Sequence, residues 1–392
     1  MTFPVGLERD LAARLLPLLA ALQPLRPEDP DVGAAVATFV GANVTEVLRT
    51  IGKFEESGVL FRRGGVVRIV PDVLADHLLQ RACVTNSGAI TGYADQVFRA
   101  FRDDIGGAVL RNLSELDWRV RAAARIVATA AVPDSGPTVL RRVWHDVRER
   151  FAAAPNSDRV NILRRLHEVA YLQPGEVLEI AELAMRTPAT AAERGIASPF
   201  VEWTQNGVLH RLPALLRQVA YHETHLQACC DMLWALGRDD ERDVNADHPI
   251  RILQDIAGYD VGKLLEYAEI VMSAIERWTD APDAYLHRHT PLDALDPLME
   301  KGSASWRSNR RGFSFTPFLI DPDMVAAVQR RGFALLAAAV DSPASRSPSG
   351  LSTRSAACSR PHRLRVSRCP MPRWSSAGSP SACRHSTCSA AP

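Results

Sequence analysis

The chain has 392 residues, 46% of them hydrophobic and 23% charged, with a formal net charge of +1. That length buries a sizeable core, in two domains or one extended array, and the charge excludes bulk attraction to nucleic acid or anionic lipid. Eight arginines and no Asp, Glu or Lys follow Asp341, so the residues up to Asp341 carry the difference, −7, a poor start for a nucleic-acid binder.

Lysine occurs only at Lys53, Lys263 and Lys301, which reads as the codon bias of a GC-rich bacterial gene. Glu8 and Asp10 break the cationic-then-apolar order of a secretory leader. The early apolar run Leu11–Leu25 contains Arg14 and Pro17 and is too short to span a bilayer. Cys83, Cys229 and Cys230 form no disulfide framework, since neighbouring cysteines on a helix rarely bond to each other. A reducing cytoplasm with no membrane association is the expected setting.

Residues 1–85 carry the most specific local pattern. Asp31–Val40 is a short amphipathic segment, followed by a Gly41-Ala42-Asn43 turn. Val44, Val47, Leu48, Ile51 and Phe54 then recur at helical spacing, and Ser57-Gly58 ends that helix. Val59–Phe61, Arg62–Gly65 and Val66–Val70 read as strand, tight turn and strand. Helix, turn, helix and two-stranded wing in this order predict a winged helix-turn-helix preceded by an N-terminal helix. Its candidate contacts to nucleic acid or a partner are Arg49, Lys53, Arg62 and Arg63. DNA reading needs phosphate-contacting cations around the second helix, and the carboxylates of Glu46, Glu55 and Glu56 oppose them. A solvated face that packs against neighbours is therefore preferred.

The run Val66-Val67-Arg68-Ile69-Val70-Pro71-Asp72-Val73-Leu74-Ala75-Asp76-His77-Leu78-Leu79 resembles the wing and exit helix of bacterial signal-transducing NTPases of the STAND class. Pro291-Leu292-Asp293 through Asp296-Pro297-Leu298, and Arg311-Gly312-Phe313-Ser314-Phe315, resemble their helical region. In those proteins a P-loop ATPase core precedes a winged helix and a helical-repeat sensor, so the resemblance implies a sensor and scaffold on a nucleotide-driven switch. It covers about residues 1–340, and the ATPase core is missing, so its catalytic residues have no positions here. The nearest approach to a phosphate-cradling loop is Gly258-Tyr259-Asp260-Val261-Gly262-Lys263-Leu264. It is one residue short and places Leu264 where a hydroxyl must hold magnesium. Gly52-Lys53, followed by Phe54 within a helix, fails likewise.

Residues 86–341 read as stacked amphipathic helices, an irregular HEAT-like α-solenoid. Val160, Leu163, Leu166 and Ala170 form one stripe, and Val177, Ile180, Ala181 and Ala184 a second. Val208, Leu212, Leu215, Leu216 and Val219 make a third, and Val261, Leu264, Leu265, Ala268, Val271 and Ile275 a fourth. Breakers fall at Pro133, Pro155, Pro174 and Pro188, and two helices between them span about the length of a HEAT-type pair. Phe313–Thr316 alternates as a short strand pair before a final helix from Pro322.

Several residues in this stretch tempt toward chemistry. His222, Glu223 and His225 lack the i, i+4 histidines of a zincin helix, and His287 and His289 flank Arg288 in a loop. Cys229-Cys230 shows no adjacent cation or base to form a thiolate, so one sulfur is expected in the core and one near a groove. Trp118, Trp144, Trp203, Trp234 and Trp278 are read mostly as core anchors, with one or two left to bind a partner. No catalytic, cofactor or metal site is expected, and the chain is read as a non-enzyme.

Residues 342–392 are 14 Ser, 8 Arg, 7 Pro, 7 Ala and 4 Cys, which leaves only 11 others. Such a composition does not repay chain ordering, and Cys358, Cys369, Cys383 and Cys388 show no CxxC spacing. Out-of-frame translation of a GC-rich gene is the preferred account of this tail. Two functions follow. The first is the protein-binding sensor region of a signalling NTPase-like protein, as a truncated fragment. The second is a winged-helix DNA-binding regulator with a helical effector or dimerisation domain.

Overall fold

The computed structural model of the chain describes residues 7–103, 105–127, 138–189, 204–258, 265–300, 302–309, 312–319 and 321–341. The expected tail, the Tyr259–Leu264 part of the P-loop-like run, Pro133 and Trp203 lie outside the described residues. The protein is mainly helical. Its contacts divide it into two units, Met1–Val340 and Asp341–Pro392.

The chain opens with α1 (Leu7–Leu22), whose Leu15, Leu18, Leu19 and Leu22 are buried. α2 (Pro30–Val40) starts on Asp29, whose carboxylate accepts from the Asp31 amide, and ends on Gly41 at φ +64°, a left-handed position that glycine adopts without Cβ strain. α3 (Val44–Glu56) starts on a reciprocal cap. The Glu46 amide donates to Asn43 Oδ1 at 2.8 Å, and the Asn43 amide donates to Glu46 Oε2 at 3.3 Å. The paired caps explain why the helix begins where it does. Val47, Ile51 and Phe54 form its buried stripe, and α2 and α3 are bent 93° apart.

Strands β1 (Leu60–Arg63) and β2 (Val66–Ile69) pair antiparallel, Leu60 opposite Ile69 and Arg63 opposite Val66. Gly64 and Gly65 have φ +60° and +77°, the two positive values that a tight two-residue hairpin turn requires. Leu25 exchanges backbone hydrogen bonds with Val67 at 3.1 and 2.8 Å, which ties the end of α1 to the hairpin. α4 (Asp72–Cys83) packs on α1, α5 (Tyr93–Phe101) on α2, and α6 (Gly106–Val127) on both α1 and α5. Asn112 of α6 donates to the Ala21 and Gln23 carbonyls at 2.9 and 2.6 Å.

Further on lie α7 (Arg141–Ala153), α8 (Asn156–His167), α9 (Pro174–Arg186), α10 (Gln205–Leu209), α11 (Leu212–Val219), α12 (Glu223–Gly237), α13 (Pro249–Ala257) and α14 (Leu265–Thr279). Neighbours in sequence are largely neighbours in space: α11 packs on α8, α9 and α12, and α12 on α13 and α14. Pro155 and Pro174 mark helix starts, where a missing N–H costs nothing. The stripes expected on α8 and α9 are buried, as are Ala268, Val271 and Ile275 of α14. The third stripe belongs to two helices, because the chain turns at His210-Arg211 before Pro213 restarts it.

Buried polar groups bind these helices together. Arg159 of α8 is fully buried. Its guanidinium donates to the Phe151, Ala152 and Thr187 carbonyls at 3.0, 2.9 and 2.5 Å, so one cation closes the C-terminal ends of α7 and α9. Asp117 of α6, also fully buried, accepts from the Val139 amide at 2.7 Å and Gln173 Nε2 at 3.1 Å, and pairs with Arg121 at 2.9 Å.

Two 3₁₀ turns, Pro291–Ala294 and Asp296–Met299, lead to antiparallel strands β3 (Gly302–Asn309) and β4 (Gly312–Leu319) and then α15 (Pro322–Asp341). Arg331 holds α15 to Glu269 and Glu276 of α14 with hydrogen bonds of 2.6–2.7 Å. Among the described residues no single helix is long and apolar enough to cross a membrane.

Candidate functional site

The four cations singled out around the second helix fall on different surfaces. Arg49 and Lys53 are exposed on α3. Arg62 donates to Glu55 at 2.8 Å and also pairs with Glu28, which fastens β1 to the end of α3 and to the α2 approach. The hydrogen bond to Glu55 raises the Arg62 pKa against the lowering effect of burial. Arg63 faces the opposite side of the strand, because successive strand residues alternate. There it joins Arg68 and Phe61 around an open groove of about 560 Å³ lined also by Pro24, Val66 and Val70. Arg68 pairs with Asp72. Of the opposing carboxylates, Glu46 serves the α3 cap and Glu55 serves Arg62. These charges answer first to the fold.

The residues that suggested chemistry are placed elsewhere. Cys229 and Cys230 are both fully buried, which corrects the expectation that one sulfur lies near a groove. Burial pushes the Cys229 thiol up to about 12 and raises Cys230 as well, so neither supplies a thiolate. His222 and His225 do not converge: His222 Nε2 donates to the Tyr171 carbonyl at 2.6 Å, while the His225 ring lies against Gly175. His287 bridges Asp239 and Asp283 at 2.9 and 3.1 Å. His248 is fully buried, and its Nδ1 accepts from the Ile250 amide at 3.2 Å as the N-cap of α13. No group of three or more His, Cys, Asp or Glu able to hold a metal occurs among the described residues. Trp144, Trp234 and Trp278 are core residues, with Trp234 stacked on Trp278 at 5.3 Å, whereas Trp118 is 47% exposed.

A different set of side chains forms the most distinctive surface. Val169-Ala170-Tyr171 and Val219-Ala220-Tyr221 repeat the same tripeptide fifty residues apart. In both copies the valine and alanine are buried, while the tyrosines are 51% and 52% exposed. Each copy closes one helix and leads into the next, α8 to α9 and α11 to α12. The two rings meet edge to face at 6.5 Å, and Tyr171 also rests on the His222 ring at 4.9 Å. Tyr267 of α14 donates its hydroxyl to the Tyr221 carbonyl at 2.6 Å. Burial raises the Tyr267 pKa, and so does the nearness of Glu223, Tyr171 and Tyr221. On α6, Arg111 lies 3.9 Å from Glu168 and Arg121 donates to the Leu172 carbonyl at 3.3 Å. Trp118 shares their helix face by spacing and is exposed there. Tyr171, Tyr221 and Tyr267 thus line an aromatic ridge across successive helices, with Trp118 exposed on the α6 face that meets the first turn through Arg111 and Arg121.

Helical spacing points to buried residues, so these tyrosines escaped the reading of the sequence. The repeated tripeptide was the available signal. No protein-family model, curated protein or solved structure matches the chain.

Proposed function

We propose that the chain is the protein-interaction and sensor region of a signalling NTPase-like protein, a winged helix followed by a HEAT-like helical array without catalytic chemistry of its own. The ridge of Tyr171, Tyr221 and Tyr267, with exposed Trp118 on α6, carries this reading. Tyrosine and tryptophan bring large contact area at low ordering cost and dominate protein-binding hot spots. Tyr171 and Tyr221 are half-exposed here, on a backbone held by hydrogen bonds from His222 and Tyr267. The winged-helix part draws support from the 93° bend between α2 and α3, the Gly41-Ala42-Asn43 turn and the hairpin that follows. The array part draws support from the sequential packing of α10 to α14.

The alternative, a DNA-binding regulator, depends on the exposed Arg49, Lys53 and Arg63, and a titration separates the two. Fluorescence anisotropy with random duplex DNA should give a Kd weaker than about 10⁻⁴ M at physiological salt, the weak end of non-specific binding. Tight, steeply salt-dependent binding that is lost on Arg49→Ala would establish the regulator instead.

A further inference from the structure

The ridge joins exposed rings to exposed carboxylates. Glu223 follows Tyr221 and His222 at the start of α12, is exposed, and has no ion pair among the described residues. Glu168, three residues before Tyr171, keeps its side chain 55% exposed with Arg111 at 3.9 Å. The neighbouring cation Arg121 is committed to Asp117 and the Leu172 carbonyl, and His222 to the Tyr171 carbonyl. Electron-rich ring faces attract cations within about 6 Å, and carboxylates beside them add to that attraction while repelling phosphates. The spacing is informative too. The Tyr171 and Tyr221 centroids are 6.5 Å apart, and side chains two residues apart on one side of an extended strand stand about 6.6 Å apart.

We propose that the ridge docks an extended segment of a protein partner bearing arginine or lysine at alternate positions, its cationic side chains seated beside Tyr171 and Tyr221 with Glu223 as counter-charge. This names the partner chemistry of the surface on which the interaction reading rests. The hydrogen bonds to the Tyr171 and Tyr221 carbonyls favour it, because they hold the backbone of both turns before the segment arrives.

The test uses the full chain and two fluorescein-labelled nine-residue peptides, one alternating Arg and Ser, the other Glu and Ser. Anisotropy should show the Arg peptide binding at least about tenfold tighter than the Glu peptide. The double variant Tyr171→Leu, Tyr221→Leu should lose about tenfold, the sum of two exposed cation–π contacts, and Glu223→Lys should lose affinity without touching either ring. Circular dichroism and the melting temperature establish that each variant is folded. Equal binding of the two peptides, or undiminished Arg-peptide affinity in folded double-Leu and Glu223→Lys variants, overturns the proposal. A benzoylphenylalanine photo-crosslinker in place of Tyr171, used in cells, separates the two levels. A captured protein together with no Arg-peptide binding overturns the cationic occupant alone. The absence of both capture and peptide binding overturns the interaction reading as well.

Discussion

Residues 29–70 and the helices from α6 to α13 hold their backbones in different ways. In the first region the directing groups are close in sequence: Asn43 and Glu46 cap each other, Asp29 caps α2, and Gly41, Gly64 and Gly65 take the left-handed turns. In the second, distant polar groups reach through the core. Arg159 joins carbonyls of α7 to Thr187 after α9, and Asp117 joins α6 to the Val139 amide and Gln173. Local signals set an element's ends, whereas long-range polar staples set how helices stack. A substitution should therefore cost most where a staple is lost, less at a cap, and least on the ridge.

The largest effect is expected for Arg159→Met, which removes the donors from three carbonyls at the ends of α7 and α9. A loss of about 3 kcal/mol in denaturant unfolding is expected, the cost of losing three charge-assisted hydrogen bonds, one of them to the carbonyl of buried Phe151. A loss no larger than that of a surface substitution would remove Arg159 from the account of the stacking. Asn43→Ala should cost about 1 kcal/mol, the usual value of an N-cap. Its effect should be confined to faster hydrogen exchange in the first turn of α3.

The pH dependence sharpens the comparison, because α13 is capped by a titrating group. Only neutral His248 offers a lone pair at Nδ1 to the Ile250 amide. Burial lowers its pKa, which the charge of Asp240 opposes and those of His289 and Arg242 reinforce. A depressed folded pKa means that this contribution is complete above the unfolded value of about 6.5 and is lost as the pH falls below it. Asp240 behaves separately. Burial raises its pKa, but hydrogen bonds from Arg242 prevail and bring it to about 2, so its contribution is lost only between about pH 4 and 2. Unfolding measured from pH 8 to 5 should show stability falling with pH in the native chain and a shallower fall in His248→Asn. Equal slopes in both proteins would contradict the cap.

The smallest effect on folding belongs to the ridge. Tyr171→Leu and Tyr221→Leu should each change stability by less than about 1 kcal/mol, since half-exposed side chains away from the core behave as surface positions.

Much of the N-terminal architecture was legible because its signals are local. Gly41-Ala42-Asn43, Ser57-Gly58 and the paired glycines at 64–65 each mark a boundary by their own conformational needs. The apolar stripes were legible too, since burial of one helix face imposes its own spacing, as at Val177, Ile180, Ala181 and Ala184. Spacing alone missed the break at His210-Arg211, because the apolar phase continues across it. It gave no access to Arg159, whose three acceptors become neighbours only after folding. The candidate surface was the least legible. Arg49, Lys53, Arg62 and Arg63 look like one basic set in the sequence, yet strand alternation and the Glu28–Arg62–Glu55 cluster divide them. Tyr171 and Tyr221 lie at helix-closing turns, where no periodicity points.

The measurement that tests the central claim most directly compares the two regions in one chain. A benzoylphenylalanine photo-crosslinker replaces Tyr171 on the ridge in one version and Arg49 on α3 in another, both exposed positions, and both are irradiated in cells. The account predicts a discrete protein adduct from position 171 and no nucleic-acid adduct from position 49. Nucleic acid captured at position 49, with nothing captured at position 171, would contradict it.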